Sequence, residues 1–107
     1  DTIVITGVEA PDNSKLATLI SFKDETWQIT TPKVEIQSHG AGDLLSALFT
    51  GHYIRSGNHL MAVSGAVAGV YAALKNAKKT RSETLSLVSV QKIILDPPEI
   101  FAPERLR

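Results

Sequence analysis

The stretch "HGAGDLL" sets Gly40, Ala41 and Gly42 directly before Asp43, and an apolar run begins at Leu44. Leu44, Leu45, Leu48, Phe49 and His52 then recur at three- and four-residue spacing, which predicts an amphipathic helix ending near Gly57. A helix N-terminus leaves about four backbone N–H groups unpaired and carries roughly half a positive charge, so it attracts anions. Glycines just before it let the backbone approach a phosphate closely and adopt positive φ. Gly40, Ala41 and Gly42 can therefore cradle an anion while the Asp43 carboxylate, beside it, acts as general base on a hydroxyl. Phosphoryl transfer requires that pairing. Plain capping would use the same residue types, because Asp is a favoured N-cap and Gly a favoured turn residue. The stretch also lacks the Lys-[Ser/Thr] of a P-loop and the third glycine of a dinucleotide fingerprint.

The elements that must position this turn are read from periodicity. "TIVIT", residues 2 to 6, is a continuous β-branched run, the pattern of a strand covered on both faces in a parallel sheet. Pro11, Asp12 and Asn13 mark a loop, and "LATLISF", "KDE" and "TWQIT" then read as a β-hairpin over residues 16 to 30. Pro32 interrupts, and "KVEIQ" is expected to be a short strand that delivers the chain to the glycine turn. Beyond Gly57, Asn58 can cap a second helix through "HLMAVSGAVAGVYAALKNAKK", with Ala62, Gly65, Ala66, Gly69 and Ala73 forming one narrow face. Thr80 and Glu83 have capping-box spacing and predict a third helix to about Gln91. The tail "DPPEIFAPERLR" is broken by prolines and is expected to lie over the surface, extended or in a single turn. Strands followed by helices in one chain suggest half of a larger α/β layer structure.

Bulk properties narrow the function classes. A chain of 107 residues with 43% hydrophobic and 21% charged residues has room for one core and the composition of an ordinary globular protein. Eleven basic residues balance eleven acidic ones, so no overall field attracts nucleic acid or an anionic membrane, and any anion site must be local. The absence of cysteine excludes disulfides and thiolate metal sites and agrees with the cytoplasm. Leu60 to Leu74, the most apolar stretch, falls short of the roughly 20 residues of a membrane span and reads as a buried helix. The N-terminus "DTIVITGVEAP" has no initiator Met, basic leader or cleavage site, and a start inside an apolar strand reads as truncation or processing.

Other residues carry weaker signals. His39, His52 and His59 match no zinc spacing, so a metal role is not expected; His39 adjoins the turn but reads as a surface loop residue. Trp27, in the hairpin, is expected to pack half-buried. Lys75, Lys78, Lys79 and Arg81 gather where a helix C-terminus favours cations. Gly65 and Gly69 are expected to seat their helix against the sheet or a nucleotide.

Four segments, "DTIVITGVEAP", "ETWQITTPKV", "GAGDLLSALFTGHY" and "DPPEIFAPERL", resemble in order and spacing the carboxyl-terminal portion of pyridoxal kinases, small-molecule kinases of the ribokinase-like superfamily. The resemblance implies an α/β fold: strands and a β-hairpin followed by three helices packed on a central sheet, residues 1–107 being the ATP-binding and catalytic half of one domain. It implies transfer of the γ-phosphate of ATP to the 5′-hydroxyl of pyridoxal, pyridoxine or pyridoxamine by a homodimer. Asp43 is then the base and substrate contact, with Gly40, Ala41 and Gly42 as the anion hole and Gly40 also facing substrate. Ala41 stands where many relatives have Thr, so a side-chain hydroxyl contact to phosphate is missing. Thr6 matches a threonine near the ATP phosphates and a monovalent cation such as K⁺, and Gly7 replaces a frequent serine. Thr31, Pro32, Lys33 and Val34 match a segment lining the nucleotide site. The family's Mg²⁺ and vitamin-ring residues belong to an amino-terminal half that this chain does not contain, so the chain alone is expected to be inactive. The rival readings are another ribokinase-like kinase, for a hydroxymethylpyrimidine, a sugar or a nucleoside, and a non-catalytic α/β interaction module in which Asp43 only caps.

Overall fold

The computed structural model describes residues 2–35, 40–80 and 91–107, the side chain of Ile93 excepted. It divides into two compact units, Asp1–Lys33 with Phe101–Arg107, and Val34–Ile100.

The first unit is a four-stranded antiparallel sheet of β1 (Ile3–Glu9), β2 (Lys15–Phe22), β3 (Glu25–Pro32) and β4 (Glu104–Arg105), in the order β1-β2-β3-β4. Asp12 closes the β1–β2 connection: its Oδ1 accepts the Ser14 amide at 2.9 Å and the Ser14 hydroxyl at 2.6 Å. This is the local turn chemistry that makes Asp frequent in loops. Between β2 and β3, Lys23 and Asp24 take φ 49 and φ 64. Positive φ at both central residues makes the two-residue hairpin turn whose twist suits antiparallel strands. Alternation places Val4, Ile20, Trp27 and Ile29 on one face, where Ile20 and Ile29 are fully buried.

Two expectations change here. β1 is not a two-sided buried strand of a parallel sheet: it is an antiparallel edge strand whose Ile3 and Ile5 are 60% and 52% exposed. A β-branched run favours extended backbone but does not say which face is covered, and β2 follows closely enough to fold back beside it. Residues 33 to 35 of "KVEIQ" form no strand, and its last two residues lie outside the described set. The tail is extended as expected but also pairs: Arg105 stands opposite Trp27, and Leu106 N–H donates to Thr26 O at 2.7 Å. Trp27 is half-buried, donates to Glu25 Oε1 at 3.1 Å, and has the Arg105 guanidinium 5.9 Å from its ring centre.

The second unit contains α1 (Ala41–Ser56), α2 (His59–Thr80) and the short α3 (Gln91–Leu95). Gly57, at φ 65, ends α1 and donates to Tyr53 O at 2.7 Å, a left-handed cap for which glycine is suited. Asn58 then caps α2, its Oδ1 accepting the Met61 amide at 3.0 Å. The small-residue face of α2 is buried: Ala62 and Ala66 are at 0% exposure and Ala73 at 2%. α1 and α3 are among its neighbours. A Cβ on Gly65 would meet the His52 ring at 2.9 Å, and one on Gly69 would meet Leu48 Cδ1 at 2.7 Å and the Ile94 carbonyl at 2.9 Å. Leu44, Ala73 and Ile94 form a buried cluster with Leu48 and Val70 against it. Burial of each Leu or Ile contributes roughly 1.5–3 kcal/mol.

α2 runs over 22 residues, as the expected second helix of residues 59 to 79 did to within one residue. Its length and mean hydropathy of 1.3 suffice for crossing a bilayer, while half of that window is buried within the protein itself. Thr80 is the last described residue of α2, its hydroxyl donating back to Asn76 O at 3.0 Å. The stretch expected to form the third helix, from Arg81 through Glu83 up to but not including Gln91, where α3 begins, lies outside the described residues.

Candidate functional site

The glycine turn enters α1 in a way that separates the two readings of Asp43. The first intrahelical bond runs from Leu44 N–H to Gly40 O at 2.9 Å, so Gly40 is the N-cap and Asp43 is already the third helical residue. Gly40 has φ 99 and ψ 0 and contributes no side-chain cap. Aspartate as cap is thereby excluded. The amides of Ala41, Gly42 and Asp43 precede the first closed turn and point out of the helix end without an intrahelical acceptor. The Asp43 side chain is exposed and accepts no hydrogen bond among the described residues.

Gly42 is the informative position. Its φ is not in the left-handed region, and a Cβ built there would meet nothing within 4 Å among the described residues. Neither backbone conformation nor packing requires a glycine, although glycine inside a helix costs roughly 0.5–1 kcal/mol relative to alanine. Bare backbone at an open helix end suits an anion that must come close to amide nitrogens. Ala41 is half-buried.

The residues expected to face the nucleotide fall in both units. Thr6 and Gly7 are the extra residues of a bulge in β1: Ile5 pairs Leu19 and Val8 pairs Ala17, leaving both opposite Thr18 alone. Gly7 takes φ 69, and both residues are exposed. Such a bulge re-aims side chains and recurs next to active sites. Thr31 and Pro32 end β3, paired with Leu16 and Lys15, and Lys33 N–H donates to Ser14 O at 2.8 Å. The bulge stands opposite Thr18, which pairs Ile29, two residues before Thr31. Val34 and the Gly40–Asp43 turn belong to the second unit. The bulge has no sequence signal beyond Gly7 itself.

No group of three or more His, Asp or Glu suited to a metal ion occurs among the described residues. His39 lies outside them. His52 is partly buried, its Nδ1 3.4 Å from an Arg55 guanidinium nitrogen, and the His59 ring lies 4.8 Å from that of Tyr53. Lys75 does more than meet a helix end: it binds Glu99 at 2.7 Å and sits 5.4 Å over Tyr71. A cavity of about 370 Å³ beside α2 is lined by Tyr71, Lys75, Asn76, Lys79 and Glu99 among others, with no residue of the glycine turn.

No family model matches the chain. Among curated proteins it is similar to a pyridoxal kinase of Leifsonia xyli subsp. xyli, 34% identical over 107 residues. That match covers 98% of this chain, which spans about 38% of the relative's length. Among solved structures it is similar to the pyridoxal kinase of Leishmania donovani in complex with ADP and pyridoxamine, with TM-score 0.86 and 21% identity, covering 99% of this chain and 39% of that one. It is similar also to a phosphomethylpyrimidine kinase candidate of Bacteroides thetaiotaomicron, with TM-score 0.84 and 19% identity, covering 98% of this chain and 38% of that one. The chain is thus an α/β protein with the fold of the carboxyl-terminal part of a ribokinase-like domain, and it resembles that portion of pyridoxal kinases over nearly its whole length.

Proposed function

We propose that this chain supplies the phosphoryl-transfer end of a pyridoxal kinase. The observation that carries the reading is Gly42, a helical glycine facing open space at the mouth of α1, beside the uncapped carboxylate of Asp43. In the reaction the Asp43 carboxylate accepts the proton of the 5′-hydroxyl of pyridoxal, pyridoxine or pyridoxamine. The hydroxyl oxygen forms its bond to the γ-phosphorus of ATP as the bond to the bridging oxygen breaks, and ADP leaves with that electron pair. Amides at Gly40, Ala41 and Gly42 meet the charge on the transferring group, where preorganised donors stabilise more than solvent does. General-base catalysis by a positioned carboxylate contributes about 10²–10⁴-fold. Thr6, Gly7 and Thr31 to Val34 would face the nucleotide, with a monovalent ion such as K⁺ near Thr6. Mg²⁺, when bound, would neutralise phosphate charge, and no described residue of this chain is given a part in holding it. The enzyme would be a cytoplasmic homodimer.

The reading is tested in the polypeptide that carries this chain, with ATP and either pyridoxal or hydroxymethylpyrimidine as acceptor. Asp43→Asn removes the base while leaving the Gly40 cap, so turnover should fall about 10²–10⁴-fold and stability by less than about 1 kcal/mol. Unchanged turnover would refute the proposal, and preference for hydroxymethylpyrimidine would move it to the other kinase. The 107-residue chain assayed alone should leave pyridoxal unphosphorylated.

A further inference from the structure

α1 meets α2 along one seam: Leu44, Leu48 and His52, at four-residue spacing, face the small-residue stripe of α2. At two points a side chain of α1 reaches bare α2 backbone. The His52 ring lies so close to Gly65 that an added Cβ would sit 2.9 Å from its Cδ2 and Nε2 and 3.1 Å from its Cε1. Leu48 does the same at Gly69, at 2.7 Å. Real Cβ contacts are wider, so a methyl at Gly65 must displace the ring that fills the notch. The fit also leaves His52 Nε2 buried without a hydrogen-bond partner among the described residues. An unmade bond of that kind costs about 1–3 kcal/mol, and the seam tolerates it.

Asp43 rides on the same helix, next to Leu44, which is 6% exposed in the seam. A helix transmits a displacement along its axis because its backbone bonds are short and regular. We propose that the His52–Gly65 contact is a positioning device: His52, seated in the notch that Gly65 leaves, sets how closely α1 lies on α2 and hence where the Asp43 carboxylate stands. This rests on Asp43 being the base. His52 touches no substrate and acts through α1.

The test is a set of variants in the complete kinase polypeptide, read by turnover per folded molecule, by KM for ATP and by melting temperature. Gly65→Ala should lower kcat by about 10- to 10²-fold, as expected of a misplacement near 1 Å, with KM for ATP within about twofold. Removing the ring as well, in Gly65→Ala/His52→Ala, should recover most of that loss, because the three atoms nearest that methyl all belong to the His52 ring. If Gly65→Ala does not fold, His52→Leu and His52→Ala carry the test. Leucine refills the notch and should hold kcat well above that of the alanine variant. A melting temperature that falls while kcat per folded molecule stays unchanged overturns the proposal, as do equal losses in the single and double variants or equal activity of His52→Leu and His52→Ala. Asp43→Asn is run beside them. If it silences the enzyme while the seam variants do nothing, only the positioning claim fails; if it too leaves turnover unchanged, the kinase reading has failed first.

Discussion

The Leu44 amide donates to the Gly40 carbonyl at 2.9 Å, and that bond determines the position of Asp43 in its helix. A helix begins where its first i→i−4 bond closes, so the residue holding that carbonyl is the cap. With Gly40 there at φ 99, Asp43 lies within the first turn, its carboxylate near the positive end of α1 and exposed to solvent. A negative charge at that end is favoured by about 0.3–1 kcal/mol. The carboxylate thus stands accessible to solvent at the mouth of α1 without serving as the N-cap.

Gly40→Ala should expose this geometry. A left-handed backbone costs an L-residue roughly 1–2 kcal/mol, and no described atom lies within 4 Å of a Cβ placed at Gly40, so the cost is conformational and not a clash. Thermal melts should show a loss of that size. In the kinase polypeptide, turnover should fall further than the stability loss explains, because relaxing φ turns the amides of the α1 entrance. A melting temperature equal to the parent's would show that the turn does not need its positive φ.

Asn58→Ala should loosen the start of α2. It removes the side-chain acceptor of the Met61 amide while leaving the Ala62 N–H bond to the Asn58 carbonyl at 3.0 Å. Loss of such a cap costs about 1 kcal/mol, whereas Asn58→Asp keeps an acceptor and should cost less. Denaturant titrations of the three proteins give the order; equal midpoints for alanine and aspartate would mean that the side chain caps nothing in solution.

What could be read from residues alone was what local chemistry decides. Gly57 and Asn58 punctuate the α1–α2 joint with a left-handed stop and a side-chain cap, and both were visible as residue types at fixed offsets. The hairpin around Lys23 and Asp24 was legible for the same reason. The exposed face of β1 and the pairing of Arg105 with Trp27 were not, because both depend on which distant strand arrives alongside. The Thr6–Gly7 bulge required the register of β1 on β2, which no single strand encodes. At the site, the turn and its aspartate were legible as a motif, but whether Asp43 caps depended on which carbonyl the Leu44 amide finds. Gly65 and Gly69 were recognised as a close-approach face, yet His52 and Leu48 as their occupants emerge only from packing.

Two surface pairs should give the protein opposite dependences at the two ends of the pH scale. The Ser14 hydroxyl, and then its amide, donate to Asp12 at 2.6 and 2.9 Å and hold that carboxyl below its ordinary range. A carboxylate lowered on folding adds stability above its unfolded pKa, about 3.9, and loses it as pH falls through the folded value. Lys75 is the mirror case: the hydrogen bond to Glu99 at 2.7 Å, and then the charge of Glu99, raise its pKa. Its contribution is complete below about 10.4 and disappears as pH rises through the folded value. Both pairs are exposed, so the effects should be small and should shrink with salt. Melting temperatures across pH, at low and high ionic strength, check this: Ser14→Ala should flatten the acid limb and leave the alkaline one, whereas Glu99→Gln should flatten the alkaline limb. If both variants keep the parent's profile at low salt, these contacts do not persist in solution.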